Sequence, residues 1–278
     1  DEVRPAVTVV YGDVTSTMAG ALASARVGVP VAHIEAGVHT DFWGNPEEQN
    51  RRITEASADM LFAHTEDAYR TLVESGYPES DVVLAGDIVK DSLLIVADRH
   101  GIKPSAGDYV ALTVHRAENI EHPGRLRAIC GAMMESGKNI RFPVHPRTRE
   151  ALGENGLWER LAASPNIELL PPLGYMDSLK LIAGCERVAS DSGGVRREAY
   201  IFGKPVVSLI EMVWVPSMVE AGWEYIAGAD SAKILHGLDG FTPPTGRPGI
   251  FGDGKAAERM VRCLLERHGG KRTDRVKI

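Results

Sequence analysis

Cysteine is scarce in this chain of 278 residues: Cys130, Cys185 and Cys263 are odd in number, widely spaced and form no Cys-x-x-Cys pair. That excludes a disulfide framework and a zinc knuckle, and points to a reducing, cytoplasmic compartment. Positive charge is in deficit, with 31 Lys and Arg against 38 Asp and Glu and a net charge of -7, so the basic stripe of a nucleic-acid surface is missing. No apolar run reaches the roughly 20 residues of a membrane span; the longest weakly charged stretch, Ala6 to Ala25, is broken by Gly12-Asp13 and several hydroxyl residues. The opening Asp1-Glu-Val-Arg-Pro5 does not read as the basic start of a signal peptide. Low-complexity tracts and solenoid repeats are also absent. Neither nucleic acid nor membrane is an expected partner.

Apolar residues make up 44% and charged residues 25%, the balance of a globular chain with a packed core, and the length suits two domains. Short β-branched runs alternate with longer amphipathic or alanine-rich stretches, the pattern of βα units around parallel sheets. Strands are predicted at Ala6–Val10, Val29–Ile34, Met60–Ala63, Val82–Leu84, Tyr109–Val114, Ile140–Val144, Ile167–Leu169, Arg187–Ser190 and Pro205–Leu209, with a helix after each. The polar, Gly- and Pro-containing stretch Asp98–Asp108 reads as a linker. It divides an N-terminal domain, 1–103, from a C-terminal one, 104–278, whose last helix is expected to pack back on the first. His236–Pro248 reads as a loop.

Asp191-Ser-Gly-Gly194 lies between a predicted strand and a predicted helix. A helix N-terminus has unpartnered N–H groups and about half a positive charge, so it suits a phosphate. Ser192 could cap the helix or reach a phosphate oxygen, while Gly193 and Gly194 admit a ligand; the plainer alternative is a tight capped turn. Glu198, on the same helix, could accept from ribose hydroxyls or merely complement the dipole. Asp13 follows the first strand, Glu35 follows the second and Glu47 starts the next helix, at the edge where open parallel sheets bind ligands. Carboxylates with separated pKa values can move protons in both directions. The structural alternatives are a helix cap for Asp13, a turn acceptor for Glu35 and an ion pair with Arg51 for Glu47. His115 and Arg116 follow the Tyr109–Val114 strand and His145 the next one, positions suited to anion or sugar contacts.

Other patterns fail. Gly249–Lys255 has Walker A spacing, but Ala256 stands where Ser or Thr should, and no strand precedes it. His33-Ile-Glu35 lacks the Pro-Cys-x-x-Cys of a zinc deaminase. No metal site and no cofactor are expected.

The runs VYGDVTSTMAGAL (Val10–Leu22), PVAHIEAGVHT (Pro30–Thr40), NPEEQNRRITEASADMLFAHTE (Asn45–Glu66), TVHRAEN (Thr113–Asn119), PVHP (Pro143–Pro146), SDSGGVRREAYIFGKPVV (Ser190–Val207), VEAG (Val219–Gly222) and FGDGKAAERM (Phe251–Met260) resemble the non-hydrolysing UDP-N-acetylglucosamine 2-epimerases. The resemblance implies an α/β fold of two Rossmann-like domains facing a cleft, glycosyltransferase-B-like, with an incomplete N-terminal domain, commonly as a homodimer. It implies an isomerase that interconverts UDP-GlcNAc and UDP-ManNAc by eliminating and re-adding UDP, in polysaccharide biosynthesis. Asp13, Glu35, Glu47, His115 and Arg51 match the family's catalytic positions. Ser192, Gly193 and Gly194 match its diphosphate site and Glu198 its ribose glutamate, with His145 and Arg116 as further substrate contacts.

The sequence departs from the family in four places. Val213-Trp-Val-Pro-Ser217 replaces Thr-Glu-Arg-Pro-Glu, losing both acids and the arginine; His39 replaces an arginine; Arg196-Arg197-Glu198 replaces Gln-Glu-Glu. The family's opening strand and Gly-Thr-Arg-Pro-Glu turn have no counterpart, so a further N-terminal segment, or a partner in its place, is expected. A related UDP-2-acetamido sugar, a glycosyltransferase of the same fold and a non-catalytic sugar-nucleotide binder remain the alternatives.

Overall fold

The computed structural model describes residues 5–40 and 44–269. The chain folds as two compact units, Asp1–Ser92 with Gly249–Ile278, and Leu93–Pro248.

In the first unit, β1 (Thr8–Tyr11), α1 (Thr15–Arg26), β2 (Val31–Ala36), α2 (Pro46–Ala56), β3 (Met60–Ala63), α3 (Glu66–Glu74) and β4 (Val82–Leu84) lead into α4 (Ile88–Arg99). The four strands are parallel in the order β1-β2-β3-β4. Local chemistry sets the helix starts: Asn45 accepts from Glu47 N at 2.9 Å with Pro46 following, and Thr65 accepts from Ala68 N at 3.2 Å. The central strand β3, Met-Leu-Phe-Ala, is buried throughout, as a parallel strand covered on both faces should be.

In the second unit follow β5 (Tyr109–Thr113), α5 (Ala117–Ile120), α6 (Pro123–Glu135), β6 (Asn139–Pro143), α7 (Pro146–Glu154), α8 (Trp158–Ala162), β7 (Ile167–Leu170), α9 (Tyr175–Gly184), β8 (Arg187–Ser190), α10 (Gly193–Ile201), β9 (Val206–Ser208), α11 (Pro216–Glu220), β10 (Glu224–Ile226) and α12 (Ser231–Asp239). The six parallel strands run β10-β9-β8-β5-β6-β7. Winding proceeds outward from β5 through β6 to β7, then restarts at β8 on the other side. The switch point therefore falls between β5 and β8, and the crevice at their carboxyl ends is where such sheets take ligands. Val110, Leu112, Ile140, Phe142 and Leu126 centre a core that extends to Ile234 and Leu238 of α12.

The α/β class with two parallel-sheet units agrees with the sequence reading. The compact units divide inside α4, at Ser92/Leu93, whereas the linker reading places the boundary near Lys103. The final helix, α13 (Ala256–His268), sits on the first sheet: Ala256 and Met260 pack with Ala32, Met60, Phe62 and Ala85. Arg259 Nη1 donates to Ala85 O at 3.2 Å and Ala257 N to Asp91 Oδ2 at 2.8 Å. The Walker-like segment before it serves packing, with Asp87 N donating to Phe251 O at 3.3 Å.

The reading of His236–Pro248 as a loop needs correction, because α12 runs to Asp239. Its Gly237 is a contact residue: a Cβ there would stand 2.9 Å from Val207 Cγ1 and 3.0 Å from Tyr225 Cδ1. Arg187 Nη1 then donates to Gly237 O at 2.6 Å and Phe241 O at 3.0 Å, which satisfies carbonyls at the helix end. The three-residue β10 and the short α5, α8 and α11 were not predicted either, since such brief elements have too few residues to show a period.

Candidate functional site

In the first unit the chemistry gathers around Asp13, after β1. It does not cap α1: the cap position is Val14 and no side chain bonds there. The Asp13 carboxylate instead accepts from Arg51 Nη2, and its backbone oxygen accepts from Asn50 Nδ2 at 3.0 Å. Arg51 is only 5% exposed and also donates from Nη1 to Glu48 Oε2 at 2.9 Å. Burial lifts the Asp13 carboxyl above its ordinary range; Arg51 pulls it back, while the charges of Glu47 and Glu35 push it up again. Asp13, Arg51, Glu35 and Glu47 thus share one electrostatic site.

Glu35 has φ of +71°, and no other non-glycine among the described residues has a positive φ. It is the extra residue where the register between β2 and β3 shifts from Ile34↔Phe62 to Ala36↔Ala63. Such a bulge re-aims a side chain at a cost in backbone strain, and strain of this kind collects at functional sites.

Buried partners that the sequence reading missed brace this cluster. Glu48 accepts from Arg52 Nε at 2.7 Å and from Thr40 N at 2.9 Å. Burial alone would raise its carboxyl, but these bonds and the two arginine charges outweigh burial and hold it below the ordinary range. Glu55 accepts from Gly37 N and from His39 Nε2, each at 2.7 Å, fixing the chain after β2. His33 bonds Gly12 O through Nε2 at 2.8 Å, which makes Nε2 the protonated nitrogen; burial pushes its pKa down and keeps it neutral. Glu48 and Glu55 lie seven residues apart on α2, two turns along one face, and that spacing is the signal that could have marked them.

In the second unit the switch point between β5 and β8 holds the remaining residues. Asp191, fully buried, accepts from His115 N at 3.1 Å, Arg116 N at 3.0 Å and Asn119 Nδ2 at 3.0 Å. It thereby ties the β5 end to the turn that starts α10. The His115 ring is 43% exposed with Nδ1 3.8 Å from Asp191 Oδ1. His145 is the N-cap of α7, its Nδ1 accepting from Arg147 N at 3.4 Å, and its ring centre lies 6.5 Å from that of His115. Ser192 caps α10 by accepting from Val195 N at 3.4 Å, while its own N donates to Ser190 Oγ at 2.9 Å. The space that Gly193 leaves is taken by an aromatic ring: a Cβ there would stand 3.2 Å from two atoms of Trp214.

Glu198 lies in the second turn of α10, 9% exposed. Burial pushes its carboxyl up to about 7, opposed by the Arg197 charge and a hydrogen bond with Tyr175. Between about 4.5 and about 7 the folded state therefore binds more protons than the unfolded one, so Glu198 makes stability fall as pH rises through that window. Glu198→Gln is expected to flatten this part of the stability profile, read by urea unfolding at pH 5, 6 and 7; an unchanged slope would refute the protonated carboxyl. Among the described residues, no group of three or more His, Cys, Asp or Glu could hold a metal ion, and no helix is long and apolar enough to cross a membrane.

Comparison with known proteins identifies the family. A family model described as UDP-N-acetylglucosamine 2-epimerase matches residues 1–265. A Methanococcus maripaludis protein named UDP-N-acetylglucosamine 2-epimerase homolog is 35% identical over 272 residues, covering 94% of this chain and 76% of that one. The UDP-2,3-diacetamido-2,3-dideoxy-D-glucuronate 2-epimerase of Pseudomonas aeruginosa is 35% identical over 274 residues, covering 95% and 75%. The crystal structure of Methanocaldococcus jannaschii UDP-GlcNAc 2-epimerase in complex with UDP-GlcNAc and UDP matches with a TM-score of 0.84 at 33% identity, covering 94% of this chain and 76% of that one. The chain therefore belongs to the UDP-N-acetylglucosamine 2-epimerase family.

Proposed function

We propose that this chain is a non-hydrolysing UDP-N-acetylglucosamine 2-epimerase, interconverting UDP-GlcNAc and UDP-ManNAc. The observation that carries the reading is the Asp13 cluster: three carboxylates and a buried arginine in one electrostatic site, one of the carboxylates on a strained bulge. The C2–H beside an acetamido group is not acidic. A carboxylate can remove it only as the anomeric C–O bond to UDP breaks and positive charge builds at C1. That step yields a glycal and UDP; re-addition of the UDP oxygen to C1, with a proton delivered to the other face of C2, gives the epimer. Two faces need two proton carriers, and Asp13, Glu35 and Glu47 supply them. Asp13 suits the proton-holding state, because burial and its acidic neighbours favour the neutral form.

The second unit takes the leaving group in this reading. Ser192, Gly193 and Gly194 offer the α10 N-terminus to the diphosphate, and Glu198 takes the ribose, becoming ionised as it accepts two hydroxyls. His115 and Arg116 add cationic or donor character to the departing UDP. The carboxylates belong to the N-terminal domain of this proposal and the nucleotide site to the C-terminal one. Cytoplasmic residence, a homodimer and a place in polysaccharide synthesis complete it, the first supported by three free cysteines.

Incubation with UDP-GlcNAc in deuterated water tests the reading: deuterium at C2 of both epimers is expected, whereas transfer or hydrolysis without label, or binding without turnover, would refute it. A second reading, a UDP-2,3-diacetamido uronate as the sugar, is favoured by the equal identity to the Pseudomonas aeruginosa relative and by His39 and Trp214 at positions of departure. Label incorporation into each nucleotide sugar offered separately decides between them.

A further inference from the structure

Two arginines share one indole at the N-terminus of α10. The guanidinium carbon of Arg196 lies 4.3 Å from the Trp214 ring centre and that of Arg116 lies 4.5 Å from it. Arg196 is 3% exposed and cannot swing out, since Nη1 donates to Ser208 Oγ at 2.6 Å and to the buried Glu224; its buried Nε has no hydrogen-bond partner. Arg116 is half-buried, with its backbone N held at 3.0 Å by Asp191, the residue before the capping Ser192. The order of support runs from Glu224 and Ser208 to Arg196, to Trp214, and to Arg116. Two guanidinium groups repel each other, and the negative face of an indole is what can hold both nearby.

We propose that Trp214 is a positioning residue for the nucleotide's diphosphate: anchored on Arg196 and lying against Gly193, it holds the Arg116 guanidinium at the α10 N-terminus. There the Arg116 charge adds to the helix dipole. The proposal rests on reading that N-terminus as the diphosphate site. Arg196 and Trp214 lie in two of the segments where the sequence departs from the family pattern, and the loop of Trp214 is the one that has lost an arginine. The stack fixes the Arg116 guanidinium beside a loop that supplies no arginine of its own.

The test is calorimetric titration of the full chain with UDP and, separately, with uridine, which lacks phosphate. Trp214→Leu is expected to weaken UDP binding roughly tenfold, the scale of a desolvated cation–π contact, and Trp214→Phe to stay within about threefold. Uridine affinity is expected to be the same in all three proteins. Arg116→Gln should reproduce the UDP-selective loss without touching the ring, which keeps the test open if the leucine variant does not fold. Trp214→Leu binding UDP as tightly as the parent, or more tightly, would overturn the proposal; so would equal losses for UDP and uridine, which mark a structural defect. If the cooperatively folded parent itself fails to bind UDP, the diphosphate reading falls and this proposal with it.

Discussion

A chain carrying Asp13→Asn is expected to exchange the C2 hydrogen of UDP-GlcNAc with solvent roughly 10²–10⁴-fold more slowly than the parent, the usual contribution of one proton-transfer group. UDP affinity, which the proposed function assigns to the second unit, should not change. The substitution preserves volume and leaves one oxygen to accept from Arg51, so the bracing by Arg51 and Asn50 survives while the titratable group is gone. Glu47→Gln should behave alike, because Glu47 is one of the two acidic neighbours whose charge Asp13 feels. Isotope exchange followed by mass spectrometry, with calorimetry on UDP alongside, separates chemistry from binding. Exchange that survives both substitutions would make the cluster structural, a carboxylate set that exists to neutralise the buried Arg51.

Arg196→Met is expected to cost roughly 3–5 kcal/mol of folding stability, the penalty for leaving one member of a buried ion pair alone. Arg196 and Glu224 are 3% and 4% exposed. Burial pushes the Glu224 carboxyl up despite the opposing charge and hydrogen bond of Arg196, and removing Arg196 leaves burial unopposed. The variant should therefore bind a proton at Glu224 on folding and lose stability progressively as pH rises above the ordinary glutamate range. The double variant Arg196→Met with Glu224→Leu should recover most of the loss, since apolar replacement of a whole buried pair is often neutral or stabilising. Urea unfolding at pH 5 and pH 8 reads both effects. A single-variant loss under about 1 kcal/mol, or no rescue in the double variant, would show the pair to be solvated enough to matter little.

These two expectations differ in how far the sequence announces them. Asp13 and Glu35 were legible because each stands at a strand end in a βα alternation, and Glu47 because it opens the helix that follows; the β-branched runs and capping residues that create the alternation are local. Met60–Ala63, Val82–Leu84 and Arg187–Ser190 read as strands with their observed bounds. Ser192-Gly-Gly was legible for the same reason: strand, turn and helix start lie within a few residues of each other. Local propensity and period are properties of neighbours along the chain.

Tertiary structure alone decided what depends on pairs distant in sequence. The strand order that puts β8 beside β5, and so creates the switch point, joins Thr113 to Ser190. Asp191 reads as an ordinary turn acid until burial and three N–H donors from residues 115 to 119 make it the tie between the two strand ends. Glu35 reads as a strand-end acid until the shifted register on β3 forces its positive φ. Trp214 and Arg196 read as departures from a pattern until the fold stacks them at one helix end. In each case the deciding energy is desolvation or pairing across 18 or more residues of chain, as between Arg196 and Trp214, and no window of sequence contains both partners' surroundings.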